Sequence, residues 1–501
     1  MVAHAFPPSV LVNSKNTDMN EILNTLEPKE LWQYFGDILR IPRPSKKEEK
    51  IREYLVDFAQ KHQLEVHTDA TGNVLIRKPG TPGRENRPTV VLQSHIDMVC
   101  EKNSTSTHNF DTDPIEVHIE DGWLKAKDTT LGADNGMGVA TELAILASDN
   151  IEHGPIECLF TVDEETGLTG AFGLEKGFLK GNILLNLDSE DDGLFFIGCA
   201  GGIDTVIEYP CRKEKADASL LYCNLSVKGL LGGHSGDDIN KGRGNANRLL
   251  ARFLYNLESL MPYRLAGFEG GNLRNAIARE ATACIGIAKD KEAMLKQEVE
   301  KFRTIFVNEY HVTEPNITLC TEPASCPQTV LAEENGKKLI RALFSCPHGV
   351  LRMSDEIENF VETSTNLAAV KTLEDHILIT TSQRSSVESA KYEAAQRVAA
   401  CFQAIGARTS HSEGYPGWKP NPDSPILKTA LSAFKDLFAQ EGQALAIHAG
   451  LECGLFSEKY PEMDMVSYGP TMRGVHSPDE RVELSTVTRF WELTQEILKR
   501  I

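Results

Sequence analysis

At 501 residues the chain has room for two or more domains, and with 41% hydrophobic and 25% charged residues its composition is that of a folding globular protein rather than a disordered one. A formal net charge of -20 repels phosphate backbones and anionic membranes, which argues against nucleic-acid and membrane partners. The 11 cysteines are scattered, odd in number and never spaced C-x-x-C, so neither a disulfide framework nor a cysteine zinc site is signalled, and a reducing cytoplasm fits best.

In chain order, residues 1–27 read as a loose tail. The only apolar stretch near its start is Val10 to Val12, with no basic residues before it, so it does not read as a secretory signal, and Met19 is an alternative start. No run approaches the roughly 18 apolar residues needed to span a bilayer. From Pro28 a helical pattern sets in: Leu31, Phe35 and Leu39, then, after the turn IPRPS, Ile51, Leu55 and Phe58. Three strands follow, at 64–69, 73–78 and 89–95. A long helix over 135–148 precedes the apolar strand 156–162, and a shorter helix separates that from a strand at 182–187. Alternating strands and helices predict an α/β sheet whose buried strands read as continuous apolar runs.

After about residue 203 the strands alternate in polarity, at 221–227, 281–288 and 376–383. A helix over 387–405, containing Tyr392, Ala395, Val398 and Phe402, stops near Gly406 in the manner of a C-terminal glycine cap. Residues 203–411 therefore read as a second, α+β domain. The Gly/Pro-rich stretch 413–425 then marks a boundary.

Acidic and imidazole side chains recur at the carboxyl ends of the predicted strands, where open α/β sheets place their ligand crevice. The strand TVVLQSH ends at His95, with Asp97 two residues on. IECLFTV is followed by Glu164 and Glu165, and NILLNL by Asp188. The loop LGADNG supplies Asp134 just before a helix. Residues two apart on an extended chain project to the same side, so Asp97 can reach the second nitrogen of His95 and fix its tautomer. Asp134 can be read either as a helix cap or as a ligand. Glu164 and Glu165 repel each other, a repulsion that a nearby cation would relieve, and they offer two roles, one ligand and one general base. This donor mixture suits zinc, with manganese or cobalt as substitutes.

Taken in order, SHIDMV, LGADNG, DEETG, NLDSED, GGHSG and GVHSPDE resemble the co-catalytic zinc metallopeptidases, and within them the carnosinase-like aminoacyl-histidine dipeptidases. The resemblance covers nearly all of the chain from about residue 28. It implies a catalytic domain made of 28–202 and 412–501, with a mixed central sheet and helices on both faces, an α+β lid inserted at 203–411, and two zinc ions per chain. By the same resemblance, His95 and Asp188 serve one ion and Glu165 and His476 the other, with Asp134 bridging them; Asp97 orients His95, and Glu164 is the general base that activates water. The residue pattern alone decides neither Glu164 against Glu165 nor His476 against the other histidines. The resemblance further implies that His234 polarises the substrate carbonyl and that Asn275, Arg384 and Gly450 grip the substrate's terminal carboxylate. The expected activity is hydrolysis of small peptides, Xaa-His dipeptides including β-alanyl-histidine, by a cytoplasmic enzyme, and a homodimer is suggested. An amino-acid deacylase or carboxypeptidase-like amidase would share every metal residue. A non-catalytic metal-binding module is disfavoured, because structural zinc sites are closed and need no adjacent base.

Overall fold

Three of the apolar runs and a fourth strand, Asp464–Ser467, lie side by side and parallel in the computed structural model, which describes residues 19–501. Val90–His95 pairs with Ile156–Thr161 on one side and with Ile183–Asn186 on the other, and Ile183–Asn186 pairs with Asp464–Ser467. The register aligns His95 with Thr161, Gln93 with Asn186, and Asn186 with Ser467, so all four carboxyl ends open on the same edge. Val74–Lys78 adds antiparallel to Ile156–Thr161, and Glu65–Thr68 to Val74–Lys78, which makes the sheet mixed. Its order continues beyond Asp464–Ser467 through Leu194–Cys199 to Gln443–Ile447, giving eight strands.

The strands Val90–His95 and Ile156–Thr161 are buried at every position, as expected of strands covered on both faces. The helix Ala133–Ala147 packs on this sheet and against the helix Lys29–Leu39, and it is apolar nearly all round, as a core helix should be. Its one buried acid, Glu142, accepts the Ser94 hydroxyl at 2.6 Å, and burial pushes its carboxyl well above the usual range.

A small four-stranded sheet joins two distant parts of the chain. Val117–Glu120 and Trp123–Ala126 form a hairpin, turning at Asp121 and Gly122, both with positive φ, as a tight hairpin turn requires. Arg481–Glu483 pairs with Trp123–Ala126, and Met472–Arg473 pairs with Arg481–Glu483, so His476 lies in the loop of a hairpin built on the strand that leads to Asp134.

The chain divides into two compact units. The first runs to Phe195 and takes in Asp423–Ala444 and Lys459–Ile501; the second is Phe196–Pro422 with Leu445–Glu458. The division after Pro422 falls within the Gly/Pro-rich stretch 413–425. The second unit begins ahead of residue 203 and continues past 411, because its ends are laced together by bridges between Cys199 and Trp418 and between Gly202 and Tyr415. It holds an antiparallel sheet in the order Thr318–Pro323, Leu221–Lys228, Ala281–Ile287, Arg264–Gly270, Val361–Thr372, His376–Ser385, Gly201–Pro210 and Arg408–His411, with Gly349–Met353 paired beside Val361–Thr372. Helices Ala246–Glu258, Glu292–Tyr310, Glu333–Ser345 and Glu388–Gln403 contribute to the apolar core of this unit. On the last of these, Ala395, Val398 and Phe402 are buried while Tyr392 is 43% exposed, so it lies outside the apolar stripe.

Of the segment read as a tail, residues 1–18 lie outside the described residues. Met19–Leu23 is a helix, and Leu23 is buried. Among the described residues no helix is long and apolar enough to cross a membrane.

Candidate functional site

At the shared carboxyl edge of the first unit the distant side chains meet. His95 Nε2 is 3.0 Å from Asp134 Oδ1 and 3.4 Å from Asp188 Oδ1. His476 Nε2 is 3.2 Å from Asp134 Oδ2 and 2.9 Å from Glu165 Oε2. One carboxylate, that of Asp134, thus stands between two imidazoles, each of which has a second carboxylate beside it. The sequence leaves Asp134 open between cap and ligand; the helix's N-cap position is taken by Gly132, and Asp134 is extended (φ -81°, ψ 111°) within the first turn. Asn135 donates its side-chain amide to Asp188 from the next position. His476 adopts φ 59°, a left-handed conformation uncommon for a residue with a Cβ, held by the hairpin loop.

Asp97 is fully buried and fully used. Its Oδ1 lies 3.3 Å from His95 Nδ1, an electrostatic contact rather than a well-directed hydrogen bond, and accepts the backbone N–H of Glu164 at 3.0 Å. Its Oδ2 accepts the Ser45 hydroxyl at 2.8 Å and the Glu165 N–H at 3.2 Å. A single carboxylate therefore addresses both the His95 ring and the backbone that carries the two glutamates. Glu48 extends the network by accepting the Asp163 N–H at 3.1 Å, just ahead of Glu164.

The donor set fits divalent cations on several grounds. His95, Asp134 and Glu165 offer ligand atoms that all lie within 4.8 Å of one another. Glu165 Oε1 is buried without a hydrogen-bond partner among the described residues, an arrangement that costs free energy unless something positive takes it up. Charge is crowded as well: burial pushes the carboxyls of Glu165 and Asp188 up, and burial together with Asp134 and Asp188 pushes Glu190 up to about 8. Burial would also raise Asp134, but hydrogen bonds from His476 and His95 hold it low. The same contacts with Asp134 and Glu165 push His476 up to about 11. The carboxylates crowded around each imidazole favour positive charge there, as a bound cation would supply.

In the second unit, His234 and Arg384 come together: Arg384 Nη2 is 3.4 Å from His234 Nε2, and Arg384 Nη1 donates to the Tyr415 hydroxyl at 2.8 Å. Arg384 is only 7% exposed, and its Nε has no partner among the described residues, leaving part of a planar fork uncommitted. Asn275 is exposed and lies beside the His234 turn, its backbone carbonyl accepting the Ser235 N–H at 2.8 Å. Gly450 is packed so closely by Tyr415 that an added Cβ would lie 2.8 Å from the ring. Tyr415, like Arg43, Glu48 and Glu480 in the first unit, escapes a reading of the sequence. Glu480 is the only one of these inside a recognised motif, GVHSPDE.

The model of peptidase family M20/M25/M40 matches residues 91–500. The chain belongs to this family. As an M20 peptidase it is a metal-dependent hydrolase, in keeping with the donor cluster at the sheet edge. The chain is 44% identical over 479 residues, 96% of its length and 99% of the relative's, to the cytosol non-specific dipeptidase of Escherichia coli K12. It is also similar to the crystal structure of an aminoacylhistidine dipeptidase from Vibrio alginolyticus, at 45% identity and a TM-score of 0.90, covering 96% of this chain and 98% of that one. At 16% identity and a TM-score of 0.56, a tripeptidase from Staphylococcus aureus shares the fold.

Proposed function

We propose that this M20 peptidase is a two-metal dipeptidase, with His95 and Asp188 holding one cation, Glu165 and His476 the other, and Asp134 shared between them. The observation that carries the proposal is the Asp134 carboxylate, whose two oxygens face two different imidazoles at 3.0 and 3.2 Å. Zinc suits the histidine and carboxylate donors, with manganese or cobalt as substitutes. When bound, such ions polarise a carbonyl oxygen and make water a stronger acid.

The chain's own groups do the rest. The Glu164 carboxylate takes the proton of the attacking water and delivers it to the amide nitrogen as the C–N bond breaks. Asp97 keeps the His95 ring in place and, through the amides of Glu164 and Glu165, fixes the backbone that carries the base. His234 donates to the oxygen on which negative charge develops. Arg384, with Asn275, holds the substrate's terminal carboxylate, and its uncommitted Nε supports this role. Gly450 provides the close approach by which Tyr415 is seated against Arg384.

The two similar dipeptidases carry different substrate names, non-specific in one and aminoacylhistidine in the other. The proposed substrates are accordingly dipeptides, with Xaa-His and β-alanyl-histidine among them. Eleven free cysteines, and the cytosolic designation of the E. coli relative, support a cytoplasmic location. The test is a panel of Xaa-His dipeptides, β-alanyl-histidine, other dipeptides, tripeptides and acyl-amino acids on metal-reconstituted protein. Cleavage of dipeptides over longer peptides is expected, and activity confined to acyl-amino acids would instead make the protein a deacylase.

A further inference from the structure

Glu480 lies four residues beyond His476, 3% exposed, and the proposed reaction makes no use of it. Its Oε2 accepts the backbone N–H groups of Leu131 and Gly132 at 2.7 and 3.0 Å, and its Oε1 those of Ala133 and, more weakly, Asp134 at 2.8 and 3.4 Å. Four successive amides converge on one carboxylate because Gly132, at φ 72°, turns the chain into an anion-binding nest. The opposite side of that turn is gripped too: Arg43, 2% exposed, donates from Nη2 to the Gly132 carbonyl at 2.5 Å. From Nη1 the same guanidinium reaches the carbonyls of Ile96 and Asp97 at 3.0 and 2.8 Å. A Cβ on Gly132 would lie 2.6 Å from Arg43 Nη2, so the turn has no slack.

Three stretches remote in sequence are thereby fastened through the backbone of residues 131–134: the one bearing His476, the one bearing Asp134, and the one bearing His95. We infer that Glu480 and Arg43 are positioning residues that set the placement of Asp134 relative to both histidines, and so the geometry in which two cations are held. The inference rests on the reading of Asp134 as the shared ligand. Neither residue touches a ligand atom; each acts on the peptide units that carry the ligands. Such outer partners typically govern about 10–100-fold of metal affinity or activity.

The test compares Glu480→Gln, which keeps the side-chain shape but puts an amide donor against two of the N–H groups, with Glu157→Gln as a control. Glu157 is a buried carboxylate of the same unit that likewise accepts two backbone N–H groups, those of Lys180 and Gly181, away from the site. Zinc is titrated calorimetrically into the metal-free proteins, their metal-free thermal midpoints are measured, and kcat and KM for a cleaved dipeptide are determined at saturating zinc. Glu480→Gln is expected to bind zinc at least tenfold more weakly and to lose at least tenfold in kcat, with KM within about twofold. Glu157→Gln is expected to lower the midpoint and leave zinc affinity and kcat unchanged. Arg43→Lys, which gives up the fork that spans Gly132 and Ile96, should repeat the Glu480→Gln signature and stands in if Glu480→Gln does not fold. Wild-type zinc affinity and kcat in a folded Glu480→Gln or Arg43→Lys protein would overturn the inference. Failure of the wild type to bind two zinc ions would overturn the Asp134 reading on which it rests.

Discussion

Glu164 and Glu165 are adjacent in sequence, yet the fold gives them different surroundings. Glu165 Oε2 lies 2.9 Å from His476, and its other oxygen is buried and has no partner among the described residues. Glu164 is half-buried, and its amide is tied to Asp97. The sequence offers two acids and two roles without saying which is which, because neighbours on a strand end share composition and differ only in what the rest of the chain brings to them. With Glu164 as the proton carrier, Glu164→Gln should lower kcat by about 10²–10⁴-fold. Its bound metal, measured by elemental analysis, should stay at the wild-type level. Turnover near wild type would remove Glu164 from the reaction, and loss of metal would make it a ligand.

Among the elements, those legible in the sequence are the ones with a strong repeating pattern. The largely apolar runs ahead of His95, Glu164 and Asp188 stand out because strands buried on both faces carry few polar residues, here among them Gln93, Glu157 and Asn186, so that the acids and the imidazole at their carboxyl ends are conspicuous. The small sheet that brings in His476 is illegible for the opposite reason. Its strands are two to four residues long, and Val117–Glu120 is exposed at three of four positions, so no period can develop. His476 was reachable only through the family resemblance, and Tyr415, outside every predicted strand, not at all. Tyr415 is nevertheless held tightly: its ring fills the space a Cβ would need at both Gly202 and Gly450, at 2.7 and 2.8 Å, and its hydroxyl meets Arg384. Gly450→Ala should displace the ring and cost Arg384 that contact. With a hydrogen bond to a charged group worth about 1.5–3 kcal/mol, KM for dipeptides should rise about tenfold or more with kcat within about twofold. Steady-state kinetics on Gly450→Ala and Tyr415→Phe check this, and an unchanged KM in both would show that the Gly450, Tyr415 and Arg384 contacts do not serve substrate binding.

For the molecule as a whole, the α/β and α+β character of the two parts follows from the spacing of their elements. Their exact extents do not: Leu445–Glu458 joins the second unit although the sequence around it reads as a continuation of the first. The proposed metal centre is likewise a property of the whole first unit, since its candidate donors come from residue 95 through residue 476 and only the parallel register and the C-terminal hairpin bring them together. Anomalous scattering from crystals of the zinc-loaded protein examines that assembly directly. Two peaks per chain are predicted, about 3.5–4 Å apart, with one against His95 and Asp188, the other against Glu165 and His476, and the Asp134 carboxylate between them. A single peak, or a pair that does not share Asp134, would contradict the account.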